Sequence, residues 1–199
     1  MSTRLPASAR REQLLAIGLE VFARQGFHGT SMNDVADAAG VTKPVLYQHF
    51  ASKRELYLAL LDDVGRQLLD AIAKATAGAL DGKAQTEAGF TAYFQWVADD
   101  HAAFLLLFGS GARRDEEFAE AVRHVEEAIA EAIEPLIAAD IDAAHRRTLA
   151  HALVGLAEGA SRQLVALGNE FDANLLARQV TDLAWAGLRG VHRVPAAPA

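Results

Sequence analysis

A run of hydrogen-bonding side chains between residues 42 and 49 is the part of this sequence best suited to binding chemistry. Its polar members can all donate a hydrogen bond, and they are Thr42, Lys43, Tyr47, Gln48 and His49. Leu46 and Phe50 are four residues apart, so they share one face of a helix and can anchor it to a core. The polar side chains and Val45 then point outward, which is the arrangement that a helix needs to read base edges between phosphate contacts.

Signals for helix starts around this run predict a helix-turn-helix. Ser31 is a serine N-cap with Asp34 three residues later, and Thr42 is an N-cap with Pro44 in the first turn. Gly40 stands between the two short helices, where a left-handed turn residue is needed. Two short helices joined by a glycine turn form this motif.

Apolar residues recur with helical spacing along the rest of the chain, and no segment alternates as a strand does. Ser52 and Glu55 form a full capping box that starts the fourth helix. Gly18 falls inside the first helix, where it costs about 1 kcal/mol. The predicted helices are 9–25, 32–39, 43–50, 53–79, one from 84 through 97, 101–108, 113–138, 141–167 and 174–189. The sequence therefore predicts an all-α fold.

Charge is unevenly distributed along the 199 residues, whose formal net charge is −7. Residues 1–56 hold seven Lys or Arg and five Asp or Glu, whereas residues 57–199 hold twelve and twenty-one. A weakly basic segment attached to an acidic body predicts few phosphate contacts per subunit and a moderate dependence of DNA affinity on salt.

The composition also indicates the compartment. The chain has no cysteine, which excludes disulfides, thiolate metal sites and a cysteine nucleophile. Residues 1–15 lack the apolar region of a signal peptide, and the longest apolar run, 102–109, is far shorter than the roughly 20 residues of a membrane span. We expect a soluble cytoplasmic protein.

Patterns for catalysis or cofactor binding are missing from the sequence. Gly109-Ser110-Gly111 is not a nucleophile elbow, because Phe108 stands where the first glycine would be needed and no strand precedes it. There is no glycine loop for phosphates and no dinucleotide-binding fingerprint. The chain has seven histidines, and only His145, three residues after Asp142, approaches the acid–histidine spacing of a metal site. We expect no enzyme activity, no cofactor and no metal.

The segment from Gly40 to Phe50, together with the downstream residues, resembles the DNA-binding signature of the TetR family of bacterial transcriptional regulators. The other positions that carry the resemblance are Phe22, Gly26, Phe27, Thr30, Ser31, Val35, Ala36, Ser52, Lys53, Glu55 and Leu56. They lie in roughly the first quarter of the chain. Pro44 and Val45 stand where small residues are common in the family, and Gln48 stands at a variable position. These residues change which DNA sequence is read, not whether DNA is read.

The resemblance implies a homodimer of about nine helices per chain, which binds a palindromic operator in double-stranded DNA and a small-molecule effector. It implies a helix-turn-helix DNA-binding domain, here called the head, in residues 1–52. Within it, residues 1–9 are small and polar without a helical pattern, so we expect them to form a loose arm. Residues 53–190 would form an effector-binding and dimerisation domain, with helix four as the lever between the two. Residues 191–199 would be a disordered tail.

Roles within the DNA-binding surface follow from side-chain chemistry. The residues expected to face base edges are Thr42, Lys43, Val45 and Gln48, with Pro44 beside them. The residues expected to position the head on phosphates are Thr30, Ser31, Tyr47, His49 and Lys53. Val45 suits a thymine methyl group, and Gln48 suits an adenine.

An aromatic group in the middle of the chain is the candidate effector site. Its members are Phe90, Tyr93, Phe94, Trp96, Phe104 and Phe108. Packing in an ordinary core would explain any one of them. The resemblance, however, places the effector here, with Tyr93, Trp96 and His101 as the side chains able to make polar contacts. A largely apolar pocket selects a mainly hydrophobic effector.

The last two predicted helices carry a candidate dimer interface rich in small and apolar residues. Its members are Leu153, Gly155, Leu156, Gly159, Leu164, Leu176, Val180, Leu183 and Gly187. Gly155 and Gly159 are four residues apart, so one stripe of the helix lets another backbone come close. Part of this set serves the core of the monomer. The resemblance implies a four-helix bundle formed with the second copy.

The sequence thus predicts a dimeric DNA-binding transcriptional regulator, expected to be a repressor that a small, mainly hydrophobic effector releases. Two alternatives remain open. One is an effector-independent DNA-binding or architectural helical protein, which a body without a cavity would favour. The other is a helical small-molecule-binding protein with a vestigial DNA-binding head, which a failure to bind any DNA would favour.

Overall fold

The computed structural model describes residues 6–109, 114–167 and 172–192, without the side chains of residues 163–167. Within these residues the chain forms nine α-helices and no strand, so the predicted all-α fold is confirmed. They are α1 (Ala7–Gly29), α2 (Met32–Ala38), α3 (Lys43–Tyr47), α4 (Lys53–Thr76), α5 (Gly82–Asp99), α6 (His101–Phe108), α7 (Glu116–Ile133), α8 (Ala143–Leu167) and α9 (Ala173–Arg189).

Helix boundaries differ from the predicted ones where the chain bends or tightens. Helix α1 begins at Ala7, inside the arm predicted to be loose, and the rest of that arm lies outside the described residues. The predicted end of α1 at Gly26 is a kink with φ of 70°, after which the helix continues to Gly29. Helix α7 ends at Ile133, earlier than predicted, because a 3₁₀ turn with Pro135 follows it.

The local signals around α2 and α3 largely form as predicted. The Ser31 hydroxyl accepts a hydrogen bond from the Asp34 backbone N–H at 3.2 Å, and the Asp34 carboxylate accepts one from the Ser31 N–H at 2.7 Å. Gly40 has φ of 61°, the left-handed conformation that the turn was predicted to need. Thr42 is at the predicted N-cap position of α3, but its hydroxyl makes no capping hydrogen bond.

The start of α4 has a variant of the predicted capping box. The Ser52 hydroxyl accepts from the Glu55 N–H at 3.0 Å, as expected. The Glu55 carboxylate, however, accepts from the N–H of Ala51 at 2.7 Å, one residue before the serine. The serine cap therefore forms, while the carboxylate caps the residue before the N-cap instead of the N-cap itself.

The chain divides into two compact units. The first lies within residues 1–66 and 102–122, and the second within 67–101 and 123–199. Helices α4 and α7 each contribute to both units. The first unit therefore extends beyond the predicted DNA-binding domain of residues 1–52, because it includes the first half of α4, α6 and the start of α7.

The first unit is built around large side chains that are almost completely buried. They include Leu14, Val21, Phe22, Val35, Leu46, Phe50, Leu56, Leu60, Phe104 and Phe118. Gly18 lies on the buried face of α1, against Leu56 and Leu60 of α4. The side chains of both leucines thus pack over the glycine, which has no side chain of its own.

In the second unit, α5 packs extensively against α9 and also against α8. The two ends of the α5–α9 pair show that the helices are antiparallel. Gly82, at the start of α5, lies beside the Trp185 ring near the end of α9. At the other end, the Gln95 amide donates to the Asn174 side-chain oxygen at 3.2 Å. None of the helices in the described residues has the length and apolarity of a membrane span.

Replacing Gly18 by alanine is expected to stabilise the protein. A Cβ atom there would lie 3.4 Å from Leu60 and 3.7 Å from Leu56, which is ordinary van der Waals contact. The gain in helix propensity is about 1 kcal/mol. Urea denaturation at fixed protein concentration measures it, with Gly40→Ala as the comparison. Because Gly40 has φ of 61°, that variant is expected to lose stability. Destabilisation by Gly18→Ala would show that the α1–α4 contact has no room for a methyl group.

Candidate functional site

Helix α3 presents the predicted DNA-reading side chains on the surface of the first unit. Thr42, Lys43, Pro44 and Gln48 are exposed, and Tyr47 is exposed to 42%. Val45 and His49 are half-buried at the edges of this surface. The Lys43 ammonium lies 5.9 Å from the centroid of the Tyr47 ring, so the two side chains are neighbours on one face. We call Thr42, Lys43, Pro44, Val45, Tyr47, Gln48 and His49 the α3 surface.

The opposite face of the α3 segment anchors it. Leu46 and Phe50 are completely buried, as their spacing predicted. The Arg11 guanidinium of α1 lies 4.8 Å from the centroid of the Phe50 ring, a cation–π contact that could not be predicted from local sequence. A helix of five residues is too short to be stable alone, so these contacts determine where the α3 surface lies.

Two residues predicted to contact phosphate have side chains that serve the head itself. Thr30 is only 2% exposed, and its hydroxyl donates to the Gly26 carbonyl at 2.9 Å. The Ser31 hydroxyl caps α2 and also donates to the Asp34 carboxylate at 2.7 Å. These hydrogen bonds hold the pKa of Asp34 below its usual value. The Thr30 side chain is thus inside the head, where a direct phosphate contact cannot reach it, whereas Ser31 is exposed.

Lys53, also predicted to contact phosphate, reaches back into the head. Its ammonium donates to the carbonyls of Phe27 and Thr30, at 2.7 and 2.8 Å, and lies 4.3 Å from the centroid of the Phe27 ring. Two of its three N–H donors are therefore occupied by the segment between α1 and α2. The side chain ties the first turn of α4 to that segment, and only its third donor is left for DNA.

The next residue, Arg54, ties the same turn of α4 to the start of α7. Its guanidinium contacts the Asp115 carboxylate at 2.7 and 3.0 Å, and the Glu117 carboxylate at 2.6 Å. It also lies 4.7 Å from the centroid of the Phe118 ring. The hydrogen bond from Arg54 is the main cause that lowers the pKa of Asp115, and the two acids raise the pKa of Arg54.

An aromatic cluster lies beneath these cations in the first unit. Phe27 contacts Phe22, Tyr57 and Phe118, with ring centroids 6.2, 5.1 and 4.8 Å apart. Burial raises the pKa of Tyr57 to about 12. The cluster joins the end of α1, the first turns of α4 and the start of α7. Sequence reasoning did not identify the cluster, because its outermost members, Phe22 and Phe118, are 96 residues apart. The acidic run before Phe118 was the only local signal.

The predicted effector residues are divided between the two units. Phe90, Tyr93 and Phe94 are buried and in mutual ring contact within α5, and Trp96 is half-buried beside Tyr93. Phe104 and Phe108 are buried and pair with each other in α6, which belongs to the first unit. His101 is exposed at the start of α6.

A groove of about 420 Å³ lies in the second unit along α4 and α5. It is lined by Ala75, Ala84, Glu87, Ala88, Thr91, Ala92 and Gln95. Small side chains make it mainly apolar, and it is open to solvent. None of the predicted effector residues lines it, so this groove and the aromatic group are separate features of α5.

Some of the predicted dimer residues are exposed on α8 and α9. We call Gly155, Gly159, Leu183 and Gly187 the exposed stripe. Gly155, Gly159 and Gly187 are exposed with open space around them, and Leu183 is 64% exposed. Leu153, Leu156 and Leu176 are half-buried at the margins of this stripe, while Val180 is buried and serves the core of its own chain. The side chain of Leu164 lies outside the described residues.

Comparison with known proteins decides the family. The family model described as bacterial regulatory proteins, tetR family, matches residues 14–60, and the model of the tetracyclin repressor-like C-terminal domain matches residues 83–187. The chain belongs to the TetR family. The DNA-binding model coincides with the head built from α1 to α4, and TetR-family proteins are DNA-binding transcriptional regulators.

Individual transcriptional regulators resemble the chain over most of its length. The HTH-type transcriptional activator FasR of Mycolicibacterium smegmatis is 34% identical over 190 residues, which are 94% of this chain and 87% of that protein. A TetR-like transcriptional regulator from Rhodococcus sp. RHA1 has a TM-score of 0.77 and 29% identity, covering 94% of this chain and 100% of the other. FadR from Bacillus subtilis, in complex with stearoyl-CoA, has a TM-score of 0.78 at 17% identity, covering 91% and 99%.

Replacing Lys53 by methionine tests whether this residue acts inside the head. Methionine keeps much of the stem but leaves the carbonyls of Phe27 and Thr30 without their donor. The free energy of unfolding is expected to fall by about 1–2 kcal/mol, measured by urea denaturation. The slope of DNA affinity against salt is expected to change little, because the ammonium is engaged by carbonyls. A stable variant with a clearly smaller salt slope would instead assign Lys53 to a phosphate.

Proposed function

We propose that the chain regulates transcription as a two-fold dimer that binds palindromic DNA and is released by a mainly hydrophobic effector. The observation that carries the DNA-binding part is the α3 surface. Its hydrogen-bonding side chains are exposed on a short helix, whose other face is fixed by Leu46 and Phe50. Two such helices in a dimer would enter adjacent major grooves about one helical turn apart.

Within each head, roles are proposed by exposure and chemistry. Thr42, Lys43, Val45 and Gln48 read base edges, with Pro44 fixing the first turn beside them. Ser31, Tyr47 and His49 contact phosphates. Thr30 and Lys53 support these contacts from inside the head, because their polar atoms are engaged by backbone carbonyls. This division separates residues that set sequence preference from residues that set overall affinity.

The proposed dimer forms through the exposed stripe on α8 and α9. The exposed glycines of α8, together with the exposed Leu183 and Gly187 of α9, leave room for helices of a second copy to pack closely against them. Dimerisation also raises affinity, since two weakly basic heads bind one operator at high effective concentration.

The proposed effector is mainly hydrophobic, as the buried aromatic side chains of α5 indicate. FadR from Bacillus subtilis, which has a similar fold, was solved in complex with stearoyl-CoA, and this supports an effector with a long acyl chain. We propose that effector binding favours a conformation in which the heads no longer match adjacent grooves. Helix α4, which begins at Lys53 and Arg54, is the proposed lever. At an operator that overlaps a promoter, release of the protein would relieve repression.

Substitutions on the α3 surface are expected to separate affinity from sequence preference. Tyr47→Ala removes a phosphate contact, so it is expected to weaken binding to all DNA sequences by a similar factor. Gln48→Ala removes a base contact, so it is expected to lower discrimination at one base pair by about 1–3 kcal/mol. Fluorescence anisotropy with an operator and its single-base variants measures both. If Gln48→Ala weakened binding to every DNA sequence by the same factor, Gln48 would not contact a base.

Replacing Leu183 by glutamate is expected to convert the dimer to a monomer, because it places a charge in the proposed apolar interface. Analytical ultracentrifugation would show the change in mass, and operator affinity would fall with it. Leu105→Glu is the matched control, since Leu105 is 41% exposed but lies on α6 in the first unit, whereas the stripe lies on α8 and α9 in the second. A Leu183→Glu variant that stayed dimeric would place the interface elsewhere.

A further inference from the structure

Three buried hydroxyl groups of the second unit have no hydrogen-bond partner. They belong to Tyr93 of α5, Ser161 of α8 and Thr181 of α9, which are 5%, 0% and 2% exposed. A buried hydroxyl without a partner costs roughly 1–3 kcal/mol of stability, and folded proteins satisfy most such groups. Three in one helical body therefore require an explanation.

Two of these hydroxyls are neighbours. Helix α5 packs against α8, and Ser161 is close enough to Tyr93 to act on the ionisation of its phenol. Burial raises the pKa of Tyr93 well above its usual value, and the Ser161 hydroxyl opposes this shift. At neutral pH both groups are therefore uncharged O–H donors. Neither hydroxyl has a partner within hydrogen-bonding geometry.

Thr181 lies at a different level of the same body. The contacts of Gly82 with Trp185 and of Gln95 with Asn174 set the register of α5 against α9. In that register Thr181 lies opposite the first half of α5, about 9 Å along the helix axis from Tyr93. It is therefore an unpaired hydroxyl outside the Tyr93–Ser161 pair, and it serves as an internal control.

The surroundings of the pair are apolar. On α5 the neighbouring buried side chains are Phe90, Phe94 and Val97, and on α8 the buried residues one and two turns before Ser161 are Ala157 and Val154. The charged groups that act on Tyr93 are Arg162 and Glu126. Arg162 is half-exposed and ion-paired with Glu158, and Glu126 is of the wrong sign to attract an anion. No unpaired cation is thus directed at the two hydroxyls from the described residues.

We propose that Tyr93 and Ser161 donate a pair of hydrogen bonds to one carbonyl oxygen of an otherwise apolar effector, such as an ester, thioester, amide or ketone. This inference rests on the proposed function, in which the body binds a hydrophobic effector. It adds the chemical group that the site recognises and the residues that recognise it.

The chemistry of the pair favours a neutral carbonyl over an ionised carboxylate. A carbonyl oxygen has two lone pairs, which match two O–H donors. Its binding satisfies both hydroxyls at once, so the cost of leaving them unpaired in the free protein becomes affinity for the ligand. A carboxylate ion would bring a full charge into apolar surroundings without a cation to compensate it.

The test compares hydroxyl-deleted variants of the full chain in binding and in stability. The probes are methyl octanoate and methyl palmitate, with octanoate and palmitate ions as charged counterparts. Binding is followed by tryptophan fluorescence, since the Trp96 ring lies 6.4 Å from that of Tyr93. The variants are Tyr93→Phe and Ser161→Ala, and the control is Thr181→Val.

The wild-type protein is expected to bind at least one ester, and the carboxylate of the same chain length at least tenfold more weakly. Tyr93→Phe and Ser161→Ala are each expected to weaken ester binding about tenfold, which is 1.4 kcal/mol. Without ligand, all three variants are expected to melt about 2–4 °C higher than the wild type, because each loses an unpaired buried hydroxyl. Thr181→Val is expected to keep wild-type ester affinity.

Three results would overturn the inference. The first is that the wild type binds no ester, and the second is that ester affinity is unchanged in both Tyr93→Phe and Ser161→Ala. The third is a lower melting temperature for both variants, because this would show that the two hydroxyls make a structural hydrogen bond. Gel shifts with DNA are run separately on the same proteins. A wild type that bound esters but no DNA would contradict the proposed function and leave the carbonyl site standing.

Discussion

Two cations at the start of α4 connect the elements that surround the short helix α3. Helix α3 is five residues long and cannot hold itself in place, so its surroundings must do so. Lys53 binds the carbonyls of Phe27 and Thr30, which fixes the segment leading into α2 against the first turn of α4. The Phe27 ring below this ammonium completes the anchor.

Arg54 extends this anchor to a second element. Its contacts with Asp115 and Glu117, over the ring of Phe118, connect the same turn of α4 to the start of α7. Helix α7 then continues along the chain into the second unit. Under the proposed function, an effector that moved α7 would act on the head through this contact as well as through α4. The ion pairs are half-exposed, and partners of that kind can separate at little cost.

Local chemistry made part of this structure predictable. The Ser31–Asp34 capping box and the positive φ of Gly40 depend on neighbours within a few residues, and both form as predicted. Contacts between distant residues were not predictable from one sequence. Lys53 was assigned to phosphate because its residue type suits that role, but its ammonium meets carbonyls 23 and 26 residues away. Likewise, the aromatic residues of α5 and α6 are close in sequence, but tertiary packing assigns them to different units.

The candidate sites differ in the same way. The α3 surface follows from one short segment, so the sequence predicted its exposed face well. Tyr93 and Ser161 lie on different helices and are 68 positions apart in the sequence. Only the packed structure shows that both hydroxyls are buried without partners. A serine in a helix rich in small residues gives no local sequence signal of a binding site. Its burial without a hydrogen-bond partner, which only the structure reveals, is such a signal.

Selection of binding sites from random double-stranded DNA tests the central claim most directly. The full chain would be incubated with a random library at moderate salt, and bound sequences would be enriched and sequenced. If the protein binds DNA as a dimer through the α3 surface, the enriched sequences are expected to form a palindrome with half-sites about one helical turn apart. The Leu183→Glu variant is expected not to enrich this palindrome. Enrichment of no sequence, or of a single site without a repeat, would contradict the account.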